Sequence, residues 1–163
     1  MPTGPMDLFA DQANSPTEAM PFSLSPASAD DCEAIVRVQF EACAQDPGFS
    51  TIFPRGLTPE VVDHYADEYR RDICENSACN TVKVTDTDIG ELACFAIWYF
   101  LPEKSQEQIG EELRVDDFHL PAQANREVGD VLVGNSVRKR HAIMGEQAYV
   151  CESAAGKVHL LRA

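Results

Sequence analysis

Residues 82–98 read VKVTDTDIGELACFAIW, and this stretch decides the fold. From Thr81 to Thr85 β-forming side chains alternate. Asp86, Thr87, Asp88, Ile89 and Gly90 then supply turn chemistry. Residues 92–100 follow as a nearly unbroken apolar run, ended by Pro102. The pattern predicts a hairpin. The long apolar strand should lie in the middle of a sheet, buried on both faces.

Upstream, two helices are expected. Phe22, Leu24 and Pro26 alternate as a short strand would. Ser28 with Asp31 three residues on resembles a capping box, and Asp30 adds charge where a helix dipole favours it. Cys32, Ile35, Val36, Phe40 and Cys43 form an apolar stripe at helical spacing. Asp46, Pro47 and Gly48 read as its stop, and residues 49–54, FSTIFP, as an apolar loop or short turn. Thr58 and Pro59 open a second helix, because threonine caps and proline suits the first helical position. Val62, Tyr65, Ala66, Tyr69 and Ile73 carry its apolar face. Asp63, Asp67, Glu68 and Asp72 read as its solvated side.

Downstream, residues 103–113 predict a polar helix. Pro121 opens a longer one through Val128, Leu132 and Val137 toward Arg140 and Ile143, closed by Gly145. The basic patch Arg138, Lys139 and Arg140 near its end reads first as helix capping. An anion site is the sharper alternative. Residues 148–151 and 158–162 look like separate strand pieces around Glu152, Ser153, Ala154, Ala155 and Gly156.

The chain has 163 residues, about one domain, with hydrophobic residues at 44%. That composition excludes fibrous, collagen-like and wholly disordered classes. Acidic residues outnumber basic ones 27 to 13, for a net charge of −14. No basic surplus exists to neutralise phosphates, so no nucleic-acid partner is expected. The longest strongly apolar stretch, 92–101, is too short to span a bilayer, and no membrane partner is expected. Residues 1–20 hold three acids and no base. They read as a disordered tail and not as a signal peptide, leaving residues 21–163 as the domain and a cytoplasmic location. The six cysteines include no CxxC pair and read as small core residues, with Cys32 and Cys43 on one helical face.

Common catalytic motifs fail on inspection. Residues 129–136, GDVLVGNS, carry Asn135 where a phosphate loop needs lysine. Arg138 stands where a nucleophile elbow needs glycine, and no GxGxxG occurs. His64, His119, His141 and His159 show no zinc-helix spacing.

The order strand, helix, helix, hairpin, helical insert, strand resembles the GCN5-related N-acetyltransferase (GNAT) family, in its fungal type. The resemblance rests on SLSPASADDCEAIVRVQFEAC, DPGFSTIFP, VKVTDTDIGELACFAIW and VRKRHAIMG, spans residues 22–150, and extends to VHLLRA. These are patterns of hydrophobicity and turns. The resemblance implies an α+β fold, with a mixed, mainly antiparallel sheet flanked by helices. It implies acetyl-CoA as co-substrate and an amine acceptor. Family members take the pantetheine on the edges of two splayed strands and wrap the pyrophosphate with an R/Q-x-x-G-x-G/A loop. Carried over from VHLLRA, Leu160, Leu161 and Arg162 would be cofactor-strand positions. No R/Q-x-x-G-x-G/A string follows before Ala163. The expectation is therefore a domain truncated before that loop, incomplete at the C-terminus, with apolar sheet surface left open for association. A non-catalytic, degenerate family member that binds a partner is the alternative. No catalytic base is identified; Glu152 and His159 merely lie close to the right strand.

Overall fold

The computed structural model describes residues 21–113 and 120–157. The expected tail at 1–20 and the strand piece at 158–162 fall outside them. The elements are β1 (Phe22–Pro26), a 3-10 turn (Ala29–Asp31), α1 (Cys32–Ala42), α2 (Pro47–Ile52) and α3 (Pro59–Glu75). They continue with β2 (Cys79–Asp86), β3 (Glu91–Leu101), α4 (Gln106–Glu112), α5 (Arg126–Met144) and β4 (Tyr149–Lys157). The four strands form one sheet in the order β1-β2-β3-β4, with every pairing antiparallel. This is the α+β arrangement the sequence implies.

The hairpin forms where the turn residues place it. The Asp88 amide donates to Asp86 Oδ1 at 2.9 Å, and the Gly90 amide to the Asp86 carbonyl at 2.8 Å. Gly90 takes φ 73°, which a side chain would disfavour. A register slip between Val84 and Thr85 leaves Ala93 as the extra residue on β3.

β3 is interior to the sheet, but only one of its faces is buried. Ala93, Phe95 and Ile97 point into the core, whereas Trp98 and Phe100 are exposed. The expected burial on both faces is thus corrected. α1 and α3 cover one side of the sheet, and among the described residues no helix matches them on the other. Ile35, Val36, Phe40, Val61, Val62, Ala66, Tyr69, Phe95 and Ile97 belong to one buried cluster.

Caps decide the helix boundaries. Ser28 bonds Asp31 Oδ2 through both its amide (2.7 Å) and its hydroxyl (2.8 Å). The Thr58 hydroxyl accepts from the Val61 amide at 3.4 Å, and Pro59 sits in the first turn. Residues 46–48 do more than stop α1. Asp46 Oδ1 accepts from the Phe49 amide at 2.8 Å and Pro47 opens α2, so the expected loop is helical. α5 begins at Arg126, capped by Asn125, and not at Pro121. It ends at Gly145 with φ 57°, as the glycine predicts.

The largest departure is at β4. The first expected strand piece does not stop at Cys151 but continues as one strand across residues 149–157, because the small residues 153–156 pair along β3. The thiols are unpaired, and Cys32 is in the core as expected. Cys74 is exposed, which corrects a core reading for it.

Asp31 also ties the 3-10 turn to the sheet, accepting from Lys83 Nζ at 2.6 Å. Burial works to raise its pKa. The bonds from Lys83 and Ser28 together outweigh burial and hold it below the ordinary 3.8. The folded carboxyl is thus ionised to lower pH than the unfolded one. The pair adds stability above about pH 4 and loses it as pH falls below that value. Lys83→Met should cost about 1 kcal/mol at neutral pH and flatten the acid limb of the stability curve, as read by urea unfolding between neutral and acid pH. Ile35→Ala should cost about 2–5 kcal/mol. Leu24→Ala, at a position 72% exposed, should cost less than about 0.5 kcal/mol. The fluorescence of Trp98 reports both transitions.

Candidate functional site

A cavity of about 490 Å³ opens where α1 ends, lined by Arg37, Phe40, Glu41, Phe49, Phe53 and Leu57, with Cys43 and Ser50 at its wall. Its floor is aromatic. The Phe40 ring lies 4.7 Å from Phe49 and 5.0 Å from Phe53, and Phe49 lies 4.9 Å from Phe53. Tyr65 adds a fourth ring 6.1 Å from Phe53. The capped α2 is what presents these rings. Phe49 and Phe53 are four residues apart, so one helical turn brings both against Phe40. The rim carries opposite charges, Arg37 and Glu41, both exposed. Such a site takes an apolar or aromatic body and can hold a cationic head at Glu41.

The thiol at the wall is not a nucleophile at neutral pH. Burial, and then the Asp46 carboxylate, raise the pKa of Cys43. Burial raises Cys32 and Cys79 likewise. Thiolate is the reactive form, so acyl chemistry through these cysteines is disfavoured. The α3 tyrosines are also held neutral: burial pushes Tyr65 and Tyr69 upward. Tyr69 donates to Gln39 Oε1 at 2.6 Å, fixing α3 to α1. The acidic side of α3 is not uniformly solvated. Asp72 accepts from the Tyr99 hydroxyl on β3, while Asp67 pairs with Arg70.

The second feature is the edge strand. α1 packs on β3 and β4, and among the described residues β4 is the outermost strand on that side. The β3–β4 register slips between Ile97 and Trp98, leaving Ser153 as an extra residue on β4. A bulge there turns backbone groups out of the ladder, as bulges beside active sites do. Glu152, opposite Trp98, is exposed next to it. The free edge and the bulge suit backbone recognition of an amide-bearing arm.

Leu160, Leu161, Arg162 and His159 lie outside the described residues, and so does His119. Among the described residues, no group of three or more His, Cys, Asp or Glu is placed to hold a metal, and no helix is long and apolar enough to cross a membrane. The aromatic cavity was not read from the sequence as a site. The available signal was the Asp46–Pro47 start with Phe49 and Phe53 at helical spacing.

No family profile and no curated protein matches the chain. Solved structures do. The chain overlays a mosquito arylalkylamine N-acetyltransferase like 5b with a TM-score of 0.52 at 13% identity, over 87% of this chain and 63% of that one. The fold is that of the GNAT acetyltransferases. A Corynebacterium glutamicum protein described as histone acetyltransferase HPA2 and related acetyltransferase also matches. It shows 19% identity and a TM-score of 0.35, over 74% of this chain and 72% of that one. The chain thus spans 63% of the length of the mosquito protein. In the GNAT fold of this chain, the aromatic cavity and the bulged edge strand flank the same helix, α1.

Phe53→Ala should open the cavity and cost about 3–5 kcal/mol, read by thermal unfolding. Phe49→Ala, at a half-buried ring, should cost clearly less and is the better probe of ligand binding.

Proposed function

We propose that this chain supplies the N-terminal portion of an N-acetyltransferase domain, which passes an acetyl group from acetyl-CoA to an amine held in the aromatic cavity. The observation that carries the reading is the overlay with the mosquito N-acetyltransferase across 87% of the chain. Acetyl-CoA supplies an activated thioester. The residues here fit part of it. The edge and bulge of β4 would receive the pantetheine arm, and Leu160, Leu161 and Arg162, which follow β4 in sequence, are proposed as further cofactor-binding positions. No described segment fits the pyrophosphate, so affinity from this chain alone is expected to be modest. The other residues bind and orient. Phe40, Phe49 and Phe53 exclude water and hold the apolar body of the acceptor. Glu41 attracts its ammonium group. With the nearby thiols held protonated, the amine attacks directly, without an acyl-cysteine intermediate.

The acceptor that best fits an aromatic floor with a carboxylate rim is an arylalkylamine, the class named for the mosquito protein. The net charge of −14 favours encounter with such a cation. We assign the chain to the fungal type of the family on its hydrophobic pattern, and to the cytoplasm.

Titration calorimetry with acetyl-CoA is the test. Micromolar dissociation, about −8 kcal/mol, supports the reading, and no heat at millimolar acetyl-CoA overturns it. With phenethylamine or tryptamine as acceptor, mass spectrometry should detect the acetylated amine. Phe49→Ala should raise KM about tenfold, since losing one packed ring costs about 1.4 kcal/mol of binding.

A second reading, an interaction protein without catalysis, is favoured by the open sheet face. Leu24, Trp98, Phe100 and Val150 are 72%, 37%, 53% and 53% exposed. Self-association in sedimentation, together with absent acetyl-CoA binding, would favour it.

A further inference from the structure

The basic patch on α5 does not act as a unit. Arg138 is exposed and donates to Asn135 Oδ1 at 2.9 Å, and Lys139 is exposed. Neither caps the helix, which runs on to Met144. Arg140 turns inward instead. It lines a cavity of about 250 Å³ with Tyr99 and Leu101 of β3, Lys104, and Cys151 of β4. Its Nε is buried and has no hydrogen-bond partner among the described residues. The Tyr149 hydroxyl is in the same condition. Tyr149 pairs with Leu101 and Cys151 with Tyr99, so these four side chains share the face of the ladder that borders the cavity.

The surrounding charges leave Arg140 uncompensated. Lys104 Nζ is 2.6 Å from Glu112 Oε1. His141 Nε2 lies 3.1 Å from Glu112 Oε2, though not along a hydrogen-bonding direction. Glu112 is thus committed to Lys104. A buried, unpaired guanidinium donor is costly, and native proteins satisfy such groups with a partner. The guanidinium edge matches a carboxylate in shape and hydrogen-bond spacing. Tyr99 and Leu101 offer apolar contact for a short carbon chain.

We propose that this cavity binds a small monocarboxylate, with Arg140 as its anchor. One uncompensated positive charge selects a single negative charge. The volume limits the ligand to a few carbon atoms. This site is separate from the aromatic cavity at the end of α1, so the proposal stands whether or not the chain transfers acetyl groups.

The test follows the arginine Nε–H signals of the full chain by nitrogen-15 NMR during titration with propionate. In parallel arms propionamide serves as the neutral isostere and inorganic phosphate as a different oxyanion. The expected result is a saturable shift of the Arg140 signal at millimolar propionate, with no response to propionamide. Arg140→Gln should weaken propionate binding at least tenfold, measured as ligand-induced thermal stabilisation, and Arg140→Lys should retain part of it. Equal responses to propionate and propionamide would overturn the proposal. So would binding unchanged in Arg140→Gln, saturable binding of phosphate alone, or no response to propionate up to 100-fold the expected millimolar range. If Arg140→Gln does not fold, the NMR titration of the unsubstituted chain decides alone.

Discussion

Covering a single face of β3 is the constraint from which the remaining structure follows. Phe95 and Ile97 are 4% and 2% exposed, and Ile35 and Val36 of α1 are completely buried in the same cluster. A strand alternates its side chains, so committing these two inward sends Trp98 and Phe100 outward once the register slip at Ile97 is passed. The helical layer therefore gathers on one side. α1 lies over β3 and β4, α3 lies beside it against β2, and the Tyr69–Gln39 bond joins the two helices. Moving any of these layers would expose the most apolar side chains in the molecule.

That arrangement also positions the chemistry. The C-terminal end of α1 meets α2 at the aromatic cavity, while its body rests against the edge strand that carries the bulge. One helix thus touches both the aromatic cavity and the last described strand of the sheet.

Polar groups inside the fold are mostly answered locally. Asp31 meets Lys83, Asp72 meets Tyr99, and Asp86 anchors the hairpin turn. Against that background Arg140 stands apart, because its buried Nε is left open beside a cavity. The acidic surplus is spread over exposed surfaces, so this basic point is local and is not visible in the overall charge.

The local signals in the chain were read correctly where the physics is local. The Asp86–Gly90 turn, the Ser28–Asp31 cap, the Thr58–Pro59 helix start and the Gly145 stop depend on neighbours within a few residues. So does the stripe from Cys32 to Cys43, whose period follows from helix geometry alone. The order of elements sufficed for the α+β fold. Four other features depend on partners distant in sequence. Burial of β3 on one face depends on which layers pack against it. The strand through residues 149–157 depends on β3 offering hydrogen bonds to a segment of weak intrinsic preference. The aromatic cavity and the inward turn of Arg140 depend on side chains from separate elements meeting. A sequence carries the spacing of its own helices and turns, but contact between remote residues is created only when the layers pack.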